Sequence, residues 1–336
     1  MKNNFFKLKI LIIFLILTSF FNVKLFSKEV NLKAKEVLTF ENGNVIVGKK
    51  EVEAKIEKEL EIFADKITYN KVTEEIIAEI NVVAKDLINK TEISAEKMIF
   101  FKKKNQIITE GKTFYSLSND FNGESSNVNF YINEKIIFSD NLSIFKDNFK
   151  NIIEASSFRY SNNTEVLKAN NIQLLDKDKN KYFLTRGFVN LKKDTLLGKD
   201  IKINLRNDTF GNPENEPKLK GNSIIYKHDK TLIKKGIFTS CKDNDNCPPW
   251  VITSKEITHD KKKKEIHYKN AWLKIYNTPV LYFPRFFHPD PTVKRKSGFL
   301  MPTFGESKNL GASVNIPYFH VIADNADLTF KPRFFS

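Results

Sequence analysis

Cysteine is nearly absent. Cys241 and Cys247 are the two in 336 residues, and both lie in the polar, proline-bounded stretch CKDNDNCPPW (241–250). No dense disulfide framework can be built from them, and without histidines at ligand spacing they make a poor zinc site. In an oxidising compartment such a pair points to a disulfide. Histidine is sparse too: His228, His259, His267, His288 and His320 are scattered, none in a G-x-S-x-G or H-E-x-x-H context, and no phosphate-binding loop is present. The sequence therefore offers no catalytic constellation and calls for no cofactor. Acids are outnumbered, 40 against 55 basic residues, for a net charge of +15. That excess suits an anionic partner such as a phosphorylated glycolipid or a membrane surface. No nucleic-acid-binding signature accompanies it. The joint abundance of Lys, Asn, Ile and Phe also fits AT-rich coding as the main source of the charge. Beyond the N-terminus no apolar run is long enough to cross a bilayer as a helix, so any downstream insertion must use β-strands.

The first residues set the compartment. Lys2, Lys7 and Lys9 precede an apolar run over 10–17 that continues through Phe20 and Phe21. This reads as a secretory signal peptide over 1–27, with Ser27 offering a cleavage point. An uncleaved N-terminal anchor is the alternative. Either way the remaining chain lies outside the cytoplasm.

An internal repeat follows. ADKITY (64–69), AEKMIF (95–100), SSNVNF (125–130) and ASSFRY (155–160) share a small residue, an apolar residue three later and an aromatic five later. Their starts are 31, 30 and 30 residues apart, with a weaker copy at Ala34 and looser ones at Gly221 and Ser254. Each of the four is followed by a second apolar phrase, as in EEIIAEINV (74–82) and NQIITEGKT (105–113). Two short strands per repeat fit this layout, given the β-branched and aromatic content between polar turns. Apolar parity switches inside each first strand: Ile62 and Ala64 share one parity, Ile67 and Tyr69 the other. Since strand side chains alternate faces, the switch predicts a bulge or corner just after the small residue. A folded-over β-jelly roll and a β-solenoid both satisfy that pattern. The interior would be an ordinary core or a groove for acyl chains.

Other features read as scaffold. His259 and Asp260 adjoin the Lys-rich run 261–264, which predicts exposed turn residues at a solvated hairpin tip. Trp250, Trp272, Tyr282, Phe283, Phe286 and Phe287 fit either an aromatic path or packing at a domain junction.

Residues 236–336 resemble the lipopolysaccharide-assembly family LptD, also called organic solvent tolerance protein. The resemblance rests on GIFTSC (236–241), WVITSKEITHD (250–260), NAWLKIYNTPVLYFPRF (270–286), KRKSGFLMPTFG (294–305) and NIPYFHVIADNADLTFKPRF (315–334), in that order. The upstream repeats resemble the OstA-type jelly roll of the same pathway. The resemblance implies an all-β chain: a signal peptide over 1–27, a periplasmic jelly roll of stacked bent strands over 28–288, and the start of an outer-membrane β-barrel over 289–336, with room for two strands. It implies transport of lipopolysaccharide without covalent chemistry, received by strand addition near residues 30–48 from a periplasmic LptA-like bridge. An LptE-like lipoprotein plug would join a completed barrel. The alternative is a periplasmic lipid-binding bridge module that never inserts in the membrane. Cys241 matches the family cysteine that ties this domain to the barrel by a disulfide; here Cys247 or a cysteine outside this chain would be its partner. Pro317 and Pro332, 15 residues apart, each remove a ladder hydrogen bond or else punctuate strand ends. The resemblance makes them a lateral gate in the barrel wall.

Overall fold

The computed structural model describes residues 29–88, 90–118, 121–147, 150–207, 216–241, 249–289, 293, 296–300 and 302–335. The expected signal peptide and Cys247 lie outside the described residues. Val30–Lys33 (β1) and Glu36–Phe40 (β2) both pair with Val45–Ile56 (β3). Leu60–Asn70 (β4), Glu75–Asp86 (β5), Thr91–Phe101 (β6) and Gln106–Ser118 (β7) continue an antiparallel meander. The next three strands are each broken into two arms: Phe121–Ser126 (β8) and Asn129–Tyr131 (β9), Ile136–Ser139 (β10) and Ser143–Asp147 (β11), Ile152–Ala155 (β12) and Ser157–Ser161 (β13). Unbroken strands resume with Val166–Leu175 (β14), Lys181–Asn190 (β15), Thr195–Asn204 (β16) and Lys218–Lys227 (β17). Lys230–Thr239 (β18), Trp250–Asp260 (β19), Glu265–Ile275 (β20) and Thr278–Pro289 (β21) complete the stack. Every neighbouring pair is antiparallel, which excludes the parallel β-solenoid.

The predicted corner is present. Pairing skips residues between Phe63 and Lys66, and between Ala95 and Lys97, just after the small residue of each repeat. Before the corner Leu60, Ile62 and Ala64 are buried; after it Ile67 and Tyr69 are. The skip lets both arms of one strand turn their apolar side into the same core, which unbroken alternation could not do. The returning strands turn on left-handed residues instead: Asn81 (φ 53°), Gly111 (φ 78°) and Asn171 (φ 48°). Asn and Gly bear that conformation at least cost. At the three broken strands the pairing circuit closes through β7, β8, β11, β12, β14, β13, β10 and β9. Because β7 and β14 belong to both leaves, this is one meander opened at its corner.

The terminal segment forms three broken strands, one more than the sequence pattern predicts. They are Gly298–Phe299 (β22) with Thr303–Ser307 (β23), Gly311–Asn315 (β24) with Tyr318–Ala323 (β25), and Ala326–Phe330 (β26) with Arg333–Phe335 (β27). β22, β25 and β26 make one sheet, and β23, β24 and β27 the other. KSGFLMPTFG supplies the unexpected strand, interrupted around Pro302.

Candidate functional site

The interior between the two leaves is mainly apolar, with one contiguous core running along the stack. From β3 to β13 it is closed, with Ile62, Ile67, Ile76, Phe100 and Phe145 at 0% exposure. From β14 onward the inner row runs Ala169, Gly187, Gly198, Ile224, Ile233, Ile257 and Tyr268 across successive strands. Its glycines are not vacancies. A Cβ on Gly198 would fall 2.1 Å from Leu184 Cδ2, and one on Gly187 would fall 2.5 Å from Ile172 Cδ1. The branched side chains of neighbouring strands reach over the glycines, so acyl chains could enter only by displacing them or parting the leaves.

Sequence reading missed a hydroxyl network at the corner. Thr109 and Thr113 share a 2.7 Å hydrogen bond, Tyr115 Oη and Ser125 Oγ one of 2.6 Å, and Ser125 donates to Ser143 at 2.7 Å. All five are buried. The corner needs them because the broken strands leave polar groups that must find partners away from water. Burial pushes the Tyr115 hydroxyl far above its ordinary range, so it stays a neutral donor or acceptor. Its ring stacks on Phe158 at 5.4 Å.

At the C-terminal end Tyr268 stacks on Phe286 at 4.4 Å, and its hydroxyl lies 3.0 Å from His288 Nε2. Phe283 and Phe286 pack against the core, whereas Trp272, Tyr282 and Phe287 are exposed. The aromatic series is therefore split between junction packing and an outer surface. Asp260 corrects an expectation of exposure: it is buried and accepts from the Lys263 amide at 3.1 Å, capping the turn that presents the lysines. His228, His259, His267, His288 and His320 are not brought together, and among the described residues no group of three potential metal ligands occurs.

Cys241 follows β18, with its Sγ 3.8 Å from the Trp250 carbonyl oxygen and its amide donating to Thr239 Oγ1 at 3.2 Å. Pro317 and Pro332 fall at strand breaks, immediately before β25 and β27. The Leu300 amide donates to the Pro317 carbonyl at 2.8 Å, and the Ile316 amide to the Pro332 carbonyl at 3.1 Å. In an antiparallel pair of this kind the return bond comes from the opposite amide, which proline lacks. Each proline thus deletes one identifiable ladder bond. Pairing of β24 with β27 and of β25 with β26 keeps one register through the break, so the same side chains stay on the same face. One face carries Phe304, Val314 and Phe334, then Tyr318 and Phe330; the other mixes Thr303, Asn315 and Arg333 with Phe319 and Phe335. Phe304 is 77% and Phe330 66% exposed.

The fold is thus a bent-strand stack running into antiparallel hairpins that expose Phe304, Phe330 and Phe334 on one face. Residues 266–336 match the family model described as LptD protein. The LPS-assembly protein LptD of Shewanella frigidimarina is 39% identical over 112 residues, 33% of this chain and 14% of that protein. That of Nitrosomonas eutropha is 28% identical over 151 residues, 43% of this chain and 20% of the relative. The matched stretch thus spans a small part of the length of these relatives. Among solved structures, Pseudomonas aeruginosa LptH, described as the LptA-homologous periplasmic component of the lipopolysaccharide transport device, overlaps 43% of this chain and 82% of its own, with a TM-score of 0.20 and 9% identity.

Proposed function

We propose that this chain takes part in lipopolysaccharide transport and assembly at the outer membrane. Its stack would lie in the periplasm over residues 28–288, and the segment 289–336 would begin the barrel. The observation that carries this reading is the continuity of an apolar-cored stack with hairpins whose aromatic face is bare to solvent. It also weighs against a bridge module that never inserts, because such a module has no use for that face. Acyl chains would travel between the leaves while sugars and phosphates stay in water. No covalent step is required, so the role is one of transport and not of catalysis.

The N-terminal edge is the natural entry. β2 is exposed along its whole length and carries no proline, so it can accept a strand from an LptA-like bridge. The opposite edge strand, β21, contains Pro279, Pro284 and Pro289. A proline has no amide to offer an added strand, so three of them make this edge the poorer acceptor. An LptE-like plug would join only a completed barrel. Cys241 and Cys247 would form a local disulfide, or Cys241 would bond to a barrel cysteine outside this chain. Pro317 and Pro332 would serve as the lateral gate, since the bonds they delete soften the hairpins through which lipid would leave. Photo-crosslinkers at positions 30–48 in cells are expected to capture a periplasmic bridge protein. Crosslinks confined to the Cys241 end would reverse the direction of loading.

A further inference from the structure

The stack treats its surface charges in two ways. Between β3 and β7 they alternate across the strands. One row reads Lys55, Glu61, Lys85, Glu92 in successive registered positions, and another reads Lys66, Glu79, Lys97, Glu110 behind an initial Lys49. Ion pairs link these rows, with Lys55 to Glu61 and Lys97 to Glu110 both at 2.8 Å. Between β13 and β17 the acids disappear from matching positions. Arg159 faces Lys168, Arg186 faces Lys199, and Lys202 faces Lys220, each directly opposite in register. Among the described residues none of these six cations makes an ion pair. Like charges placed opposite each other oppose sheet formation, so three such pairs on adjoining strands ask for a counter-charge from outside the chain.

The surface around Arg159, Lys168 and Arg186 holds a cleft of about 430 Å³, the size of a small-ligand site. Arg159, Lys168, Arg186, Asn170, Phe138 and Phe188 line it, and Asp140 is the single acid among its lining residues. The cations are held over aromatic faces: the Arg159 guanidinium lies 5.2 Å from the Phe138 ring centre and Lys168 Nζ 5.8 Å from that of Phe188. Arg186 Nε donates to Asn170 Oδ1 at 3.4 Å, which fixes its direction. Arginine is scarce here, with six in a chain of 55 basic residues, yet two of the six line this one cleft. AT-rich coding accounts for lysines but not for that placement. Guanidinium forks match phosphate oxygens two at a time, which lysine does not do.

We propose that this outer cleft, at β10 and β13–β15, binds the phosphorylated sugar headgroup of the glycolipid whose acyl chains the stack carries. Arg159 and Arg186 clamp the phosphoryl group, Lys168 adds charge, and Phe138 and Phe188 offer flat surfaces to a sugar ring. The proposal rests on the transport reading and adds to it a headgroup station on the outside of the leaf, partway along the stack.

The test uses the full chain with three probes: diphosphorylated lipid A, the same lipid stripped of both phosphates, and inorganic phosphate. Arg159→Gln and Arg186→Gln should each weaken binding of the phosphorylated lipid about tenfold, the scale of a lost charged hydrogen bond. Binding of the dephosphorylated lipid should not change. Lys168→Glu should also weaken binding while raising the melting temperature, because it converts a like pair into an opposite one; that gain separates lost recognition from lost folding. Equal binding of both lipids by the wild-type chain, or variants that bind as wild type does, would overturn the headgroup site while leaving the transport reading standing. Failure of the chain to bind either lipid would overturn both. Inorganic phosphate that binds as tightly as the lipid, and displaces it fully, would make the cleft a free-phosphate site and overturn the lipid assignment.

Discussion

Phe100 on β6 and Phe304 on β23 stand in the same local setting, an aromatic residue in a paired antiparallel strand. Phe100 is 0% exposed and Phe304 77%. In the stack, a corner in each strand folds two leaves together, so apolar sides meet and water is excluded. In the terminal hairpins the prolines interrupt the strands but the register and facing persist, so the aromatic face has nothing to meet. Alternation thus decides which side chains share a face. What covers that face depends on the corner or, for the hairpins, on a surrounding medium.

The largest expected effect breaks the burial side of this comparison. Phe100→Ala should destabilise the stack by about 3–5 kcal/mol, because it removes a fully buried ring and leaves a cavity. Phe304→Ala should stay within about 0.5 kcal/mol in water, since nothing packs on it. Denaturant titration followed by circular dichroism measures both. A comparable loss for Phe304→Ala would mean that its face is covered in solution.

Gly198→Ala probes the inner row where side chains reach over glycine. A Cβ there meets Leu184 at 2.1 Å and Ile224 at 2.8 Å. Overpacking of that kind typically costs about 1–3 kcal/mol, and the same titration would detect it. An unchanged midpoint would mean that the two leaves already part easily at β15 and β16, the behaviour expected of an open groove.

Pro317→Ala and Pro332→Ala sharpen the comparison from the hairpin side. Each restores an amide opposite the residue whose own amide already donates to it, Leu300 for position 317 and Ile316 for position 332, so the carbonyl of that residue becomes its expected acceptor. A gain of about 0.5–1.5 kcal/mol per bond is expected, seen as slower amide exchange on both sides of the break. In a complete barrel the double variant should also slow lipid release. Unchanged exchange would make the prolines strand punctuation and remove the gate.

Much of the stack was legible because its repeat carries a physical requirement. A small residue must sit where the strand bends, and apolar parity must switch after it, so Ala64, Ala95, Ser125 and Ala155 announced corners that the pairing then displayed. The corners in β15 and β21 carry no such mark because Leu184 and Phe283 stand where the earlier repeats have the small residue. The returning strands carry their own signal in Asn81, Gly111, Asn141 and Asn171, 30 residues apart, three of them left-handed; such residues resemble ordinary loop composition, which hides the signal in the sequence. The first hairpin strand was hidden by Gly298 and Pro302, which read as loop. The hydroxyl network and the opposed cations were beyond reach, since Ser125 with Ser143 and Arg186 with Lys199 become neighbours only once the register is known.

The smallest expected effect lies at the link between the two regions. Glu265 on β20 accepts a hydrogen bond from Lys296, just before the first hairpin strand, and from His267 at 2.8 Å if that ring donates. The bond from Lys296 lowers the carboxyl's pKa most; burial pulls the other way, and His267 adds to the lowering. A carboxylate held below its ordinary value of 4.5 contributes its stability in full above that pH and loses it as pH falls through the lowered value. Acidification below 4.5 should therefore loosen residues 296–300 before the stack responds. Hydrogen exchange of these amides, corrected for the intrinsic dependence on pH, measures the change. In Glu265→Gln the same amides should exchange at the faster, loosened level at every pH, because the charge that titrates is gone. If the variant and the parent chain give the same corrected exchange above pH 4.5, Lys296 is not what ties the hairpins to the stack.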